Sequence, residues 1–281
     1  RMVSTAGKTS RLVRTERTPM TAADFQAEVF RLDSTAESYN FLIYGDSNAG
    51  KTVLSGTAPG KLFWLVCEPG YKSAARRGAV GFGRRIADTA SAWAAVDWLE
   101  EKDRYKKFDW CILDGVSTMQ DRFRLGYANE AFDIDSSKRQ HRNLPDRPDY
   151  FNTQNMLKAW LPRLVDLPLN LIITAHAWRT EKDTDADLIV FHGIQGKVTE
   201  LANTVSGLMD VTAYMAHRRV KTKEGSKFVR RLYFEAPEHK GEDVKYIIGE
   251  KFGTLGKWMD NPTIPKMISK IESGGAEDAE S

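Results

Sequence analysis

Three observations in this 281-residue chain predict an α/β fold: a mostly parallel central sheet flanked by helices, with a C-terminal antiparallel hairpin. Four apolar runs alternate with helix-like segments. The first run leads directly into a glycine-bracketed loop of fixed spacing. After Leu208 the pattern changes to charge-rich strands joined by a short turn.

The apolar runs cover residues 40–44, 62–67, 110–113 and 169–174. Each is nearly continuous rather than alternating, as expected for strands covered on both faces. Between them, 90–101 has helical spacing, with Trp93, Ala95, Val96 and Leu99 on one side. Residues 152–167 form a second helix candidate, which Pro162 should kink or start. Further on, 211–220 and 228–235 read as strands joined by Lys223-Glu224-Gly225-Ser226, with a short strand at 244–248 and a helix at 264–271. Upstream, 22–32 is amphipathic, with Phe25, Val29 and Leu32 on one face. The predicted organisation is a basic tail plus amphipathic helix (1–37, a candidate oligomerisation arm), an ordered core (38–260), and a helix with an acidic tail (261–281).

Composition narrows the class. With 41 basic and 38 acidic residues, net charge does not announce a nucleic-acid binder. The charge is uneven at the ends. Arg1, Lys8, Arg11, Arg14 and Arg17 crowd the start, and Glu272, Glu277, Asp278 and Glu280 the finish, as mobile tails do. Cys67 and Cys111, each inside an apolar run, read as buried thiols in a reducing compartment. No run reaches membrane-spanning length and no signal peptide opens the chain, so a cytoplasmic protein without a membrane partner is expected.

The loop is Gly45-Asp46-Ser47-Asn48-Ala49-Gly50-Lys51-Thr52, followed by Val53. It fits G-x-x-x-x-G-K-[ST] in the required strand-then-loop context. Its glycines let backbone N–H groups curl around a polyphosphate. Lys51 reaches the β- and γ-phosphates, the Thr52 hydroxyl ligates Mg²⁺, and the following helix adds its positive end. ATP and Mg²⁺ are the expected cofactors. A second carboxylate should hold the metal from the end of a neighbouring strand, and Asp114 closes the run Trp110-Cys111-Ile112-Leu113. Glu68, after Leu62-Phe63-Trp64-Leu65-Val66-Cys67, either activates the attacking water or opens the Glu68-Pro69-Gly70 turn. His176, closing Leu171–Ala175, is either a γ-phosphate sensor or a structural histidine.

In this order, 44–52, Ala58-Pro59-Gly60-Lys61, Glu68-Pro69-Gly70, Ile112-Leu113-Asp114, Asp149-Tyr150, Ile173-Thr174-Ala175-His176 and Asp210-Val211-Thr212-Ala213-Tyr214 resemble the RecA-type recombinase core. They are more closely similar to phage-encoded RecA-like ATPases of the nucleotide-binding and single-strand-annealing kind, over about 38–255. The resemblance implies Glu68 as the water-activating residue and His176 as the sensor. It places two DNA-lining loops at 133–150 and 178–196, and a homo-oligomeric filament or ring in a host bacterial cytoplasm. It also puts Lys251 on a neighbouring subunit's phosphates. The stretch Gly249-Glu250-Lys251-Phe252-Gly253 departs from the commoner Lys-Asp-Arg-Phe-Gly, leaving Lys245 and Lys257 as substitutes.

The candidate nucleic-acid contacts are Arg139, Arg142 and Arg147 in the first loop, Trp178, Arg179 and Lys197 in the second, and Arg219 and Lys221 on the hairpin. Cations interleaved with aromatics suit single-stranded DNA; a charged hairpin also suits a solvated edge. The expected function is a DNA-stimulated ATPase of recombination or annealing, with a single-strand-binding protein as a further partner. The competing reading is a nucleotide-switched loader acting on a protein through 22–32. A small-molecule kinase fits less well, for no acceptor lid or substrate motif is visible.

Overall fold

The structure is a computed structural model that describes residues 38–181, 188–196, 199–222, 225–238 and 244–275. The amphipathic 22–32 segment, the basic start, most of the acidic tail and the turn residues Lys223 and Glu224 lie outside the described residues.

Six parallel strands form the body of the sheet: β1 (Asn40–Gly45), β2 (Leu62–Val66), β3 (Gly81–Arg85), β4 (Trp110–Asp114), β5 (Asn170–Glu181) and β7 (Val211–Thr222). Their order is β7-β1-β5-β4-β2-β3. Beyond β7 the sheet turns antiparallel through β8 (Gly225–Tyr233), β11 (Trp258–Asp260) and the short β10 (Gly249–Glu250). β6 (Leu188–His192) folds back on β5 and pairs with β9 (Val244–Tyr246).

The continuous apolar runs have the cause expected of them. Phe41, Leu42, Ile43 and Tyr44 of β1 are all inaccessible to solvent. Leu42, Tyr44, Leu65, Leu113 and Ile173 face one core with α3 (Thr89–Glu100), α4 (Val116–Ile134), α5 (Arg147–Val165) and α6 (Glu200–Leu208). Phe41, Ile43, Trp64, Ile112 and Ile172 face the other, against α1 (Lys51–Ser55), α2 (Tyr71–Ala75) and α7 (Ile264–Glu272). Ile264 and Met267 are fully buried there, so α7 is part of this second core.

Several elements differ from expectation. α5 starts at Arg147 rather than 152, because Asp149 accepts the Asp146 N–H at 2.7 Å and closes the first turn. Pro162 neither starts nor ends it: it lies near the C-terminal end, where its own carbonyl accepts Asp166 N at 2.8 Å. The first expected DNA loop is shortened from both sides by α4 and α5, leaving 135–146. In the second, 182–187 lie outside the described residues, and 178–181 and 188–192 are strand. Trp178 and Arg179 lie on β5, paired with Phe191 and Val190 of β6. The Asp114 strand is not a neighbour of the phosphate-loop strand, for β5 lies between them.

Candidate active site

The site is assembled at the C-terminal ends of β1, β2 and β4 and beside the middle of β5. β1 ends at Gly45, where a Cβ would lie 2.2 Å from the Met215 carbonyl oxygen, so only glycine lets β7 pass this close. The loop then runs through Asp46, Ser47, Asn48 and Ala49 to Gly50. Asn48 and Gly50 hold φ of 65° and 106°, the left-handed region that asparagine tolerates and glycine prefers. The helix that follows is only five residues long, with Val53 at its middle. Anion binding here therefore rests on curled backbone N–H groups and Lys51 rather than on an extended helix dipole.

Lys51 is 8% exposed and its Nζ donates to the carbonyl oxygens of Gly45 and Asp46, each at 2.9 Å. Burial lowers its pKa, opposed by the charges of Glu68, Asp114 and Asp46.

Asp114, 2% exposed, is the polar hub. Its Oδ1 accepts the hydroxyls of Thr52 and Thr174, both at 2.8 Å, and Thr174 Oγ1 in turn accepts Gly115 N at 2.9 Å. Its Oδ2 is buried with no hydrogen-bond partner among the described residues. Burial raises the Asp114 pKa against the hydrogen bonds from Thr174 and Thr52. An orphaned carboxylate oxygen is costly unless something claims it. Gly70 leaves room beside it: a Cβ there would lie 3.1 Å from Thr52 Oγ1 and 3.3 Å from Asp114 Oδ2. Two hard oxygen donors with open space suit Mg²⁺, which keeps several waters and takes one or two carboxylates plus substrate phosphates. No cluster of three or more acidic, histidine or cysteine ligands exists among the described residues.

Glu68 follows β2 and is held over this hub. Its Oε1 accepts Thr118 Oγ1 at 2.5 Å and lies 2.9 Å from His176 Nε2. Because an ionised carboxylate only accepts, this contact assigns the proton to Nε2. Burial pushes the Glu68 pKa up, but the bonds from His176 and Thr118 and the charge of Lys51 outweigh it, and the carboxyl sits below the ordinary glutamate value. Oε2 has no partner among the described residues. Gly115, at φ 95°, is required on two counts, since a Cβ there would come within 2.7 Å of the Glu68 carboxyl. Glu68 thus becomes an ionised base with one oxygen pinned and one free for a water.

The structure brings Gly45, Lys51, Thr52, Glu68, Asp114 and His176 together as the spacing predicts. Lys251 is elsewhere. Its Nζ is 3.6 Å from Asp210 Oδ1, and neighbouring Glu250 pairs with Val211, at the start of the parallel strands and away from the chain's own phosphate loop.

The nucleic-acid candidates also scatter. Arg139 makes a two-pronged pair with buried Asp149 at 2.5 and 3.0 Å, so its guanidinium is committed to bracing the turn before α5. Arg142 pairs with Asp133 at 2.8 Å on the surface, and Arg147 is exposed at the first turn of α5. Arg179, half-exposed, pairs with the loop residue Asp46 at 3.0 and 3.1 Å. Trp178 is 49% exposed. Lys197 lies outside the described residues. Arg219 and Lys221 are exposed on β7, and Arg219 Nε donates to Ser226 Oγ at 2.7 Å.

Sequence reasoning passed over Thr118, Thr174, Gly70 and Gly115. A hydroxyl inside the apolar run Leu171–Ala175 was the one available signal for Thr174; the others depend on contacts between separate strand ends. The phosphate cleft, about 730 Å³, is also lined by Arg76, Arg77 and Arg230.

Among the described residues no helix is long and apolar enough to cross a membrane. No curated protein matches the chain. The model of the family described as an AAA domain matches residues 37–241, and on that match the chain belongs to the AAA domain family of P-loop ATPases.

Proposed function

We propose that this chain is an ATP-dependent, single-stranded-DNA-binding protein of RecA-like type, acting in recombination or annealing, with ATP at subunit interfaces of a homo-oligomer. In hydrolysis, Lys51 and the backbone N–H groups of 46–51 hold the β- and γ-phosphates. Bound Mg²⁺, held by Thr52 and Asp114, would supply charge neutralisation of the phosphate oxygens. Glu68 Oε2 accepts a proton from the water that attacks the γ-phosphorus, while Thr118 and His176 fix the carboxylate plane.

The observation that carries the reading is the 2.9 Å contact of Glu68 with His176. It ties the catalytic base to a strand that continues, two residues on, to half-exposed Trp178 on the same face. A strand of DNA stacked on Trp178 would therefore bias the position of the base. The order β7-β1-β5-β4-β2-β3, with the base after β2 and the sensor on β5, supports the RecA-like assignment. The β7–β8 hairpin offers the phosphate-tracking surface. Register pairs Arg219 with Phe228 and Lys221 with Ser226, so these side chains share one face, and Phe228 is 75% exposed.

The test is single-strand affinity against salt. Replacing Arg219 and Lys221 together by alanine should reduce the log–log slope by about 1.4, from ~0.7 per lost phosphate contact. An unchanged slope would remove the hairpin from the DNA surface and turn the search to a protein partner.

A further inference from the structure

Consecutive arginines on β8 have opposite fates. Arg231 is neutralised: Nε and Nη2 donate to Asp260 at 2.6 and 2.7 Å, and its guanidinium lies 4.8 Å from the Trp258 ring centroid. Arg230 projects to the other face, that of Leu232 and the α1 core, and its guanidinium has no hydrogen-bond or ion-pair partner among the described residues. It lies directly on the phosphate loop, for a Cβ on Gly50 would come within 2.8 Å of Arg230 Cδ and Nε.

Arg77, after α2, lines the same cleft and has no anionic partner among the described residues either. The like charge of Arg77 and, more strongly, burial lower the Arg230 pKa. Two unpaired guanidiniums beside a buried lysine make an arrangement that is unfavourable alone and relieved by a polyanion. Glu68 is the one carboxylate among the residues lining that cleft.

We propose that Arg230, with Arg77 beside it, binds the nucleotide's phosphates within the same chain, so that bound ATP ties strand β8 to the phosphate loop. The assignment rests on reading the site as an ATP site. It gives the chain its own planar two-pronged phosphate contact, which Lys251 cannot supply from its place beside Asp210. It also supplies a link to the hairpin. Arg230 pairs across with His217 and shares its face with Phe228, Arg219 and Lys221, so the strip continues from the phosphates toward the hairpin tip.

The test is ATP binding by calorimetry at several salt concentrations, with Mg²⁺, on the full chain. Wild type, Arg230→Gln, Arg230→Lys, Arg77→Gln and Lys51→Ala are compared. Arg230→Gln should weaken ATP at least tenfold and flatten its salt dependence, with Arg230→Lys recovering part of the loss. Arg77→Gln, at an exposed position where folding is not at stake, should weaken ATP several-fold. Native circular dichroism in each variant separates lost contacts from misfolding. Affinities within twofold of wild type for both glutamine variants would overturn the pair while leaving the site standing. A wild-type protein that bound no ATP, like Lys51→Ala, would overturn the site and the pair together.

Discussion

Replacing Gly70 by alanine tests the metal site with a single carbon. Gly70 has φ −58° and ψ −31°, ordinary helical values, so alanine meets no backbone strain. Reduced freedom of the unfolded chain favours alanine by about 0.4–1 kcal/mol, and the 3.1 Å approach to Thr52 Oγ1 offsets part of that. Net stability should therefore move by less than about 1 kcal/mol. Function should not be spared. The new carbon sits 3.1 and 3.3 Å from the two oxygens that would hold Mg²⁺, whose bonds to oxygen need about 2.1 Å and a shell of waters. If closing that space forfeits about 3 kcal/mol of metal stabilisation, turnover falls by roughly 150-fold at fixed Mg²⁺. The assay is ATP hydrolysis against Mg²⁺ concentration, with a thermal melt alongside. A variant with wild-type turnover and wild-type Mg²⁺ dependence would refute the placement of the ion between Thr52 and Asp114.

Other expectations follow from the same geometry. Glu68→Gln keeps the shape but removes the base, so hydrolysis should drop at least about 100-fold while ATP affinity, by calorimetry, stays within threefold. Burial raises the Asp114 pKa, so its protonation should contribute to the acid limb of the activity profile. Proton and metal compete for Asp114, so raising Mg²⁺ should shift that limb to lower pH; a limb insensitive to Mg²⁺ would contradict the assignment. His192 is fully buried, its Nε2 3.0 Å from Ala202 O and Ser206 Oγ, and burial pushes its pKa down to about 4. The unfolded chain binds that proton first, so stability is intact above about pH 6.5 and declines toward pH 4, by about 3 kcal/mol in all at 1.36 kcal/mol per unit. Denaturant melts of wild type and His192→Gln should show a shallower pH dependence in the variant.

Much of this was legible in the sequence because buried parallel strands write themselves as unbroken apolar runs. β1, β2 and β4 lie within a residue or so of expectation; Asp114 closes β4, Glu68 follows β2, and His176 stands where the apolar run of β5 breaks into polarity. What escaped notice lacks such a mark. β3 reads Gly-Phe-Gly-Arg-Arg and is exposed throughout, an edge strand paired with β2. α4 carries Gly126 and many polar residues, so this long helix went unmarked between the Asp114 run and the expected loop at 133. The extension of β5 past His176 depends on β6 folding back on it, a partnership that no local pattern announces. Arg139 and Arg179 looked like DNA contacts because charge is visible in a sequence and the carboxylate that neutralises it is not. Arg230 is the converse, an arginine in a solvated-looking cluster that the fold carries onto Gly50.

The most direct measurement is ATP hydrolysis with and without single-stranded DNA, using Lys51→Ala as the background control. Turnover should rise clearly with single-stranded DNA and vanish in Lys51→Ala. Hydrolysis abolished by Lys51→Ala yet indifferent to DNA would contradict the coupling from Trp178 through His176 to Glu68.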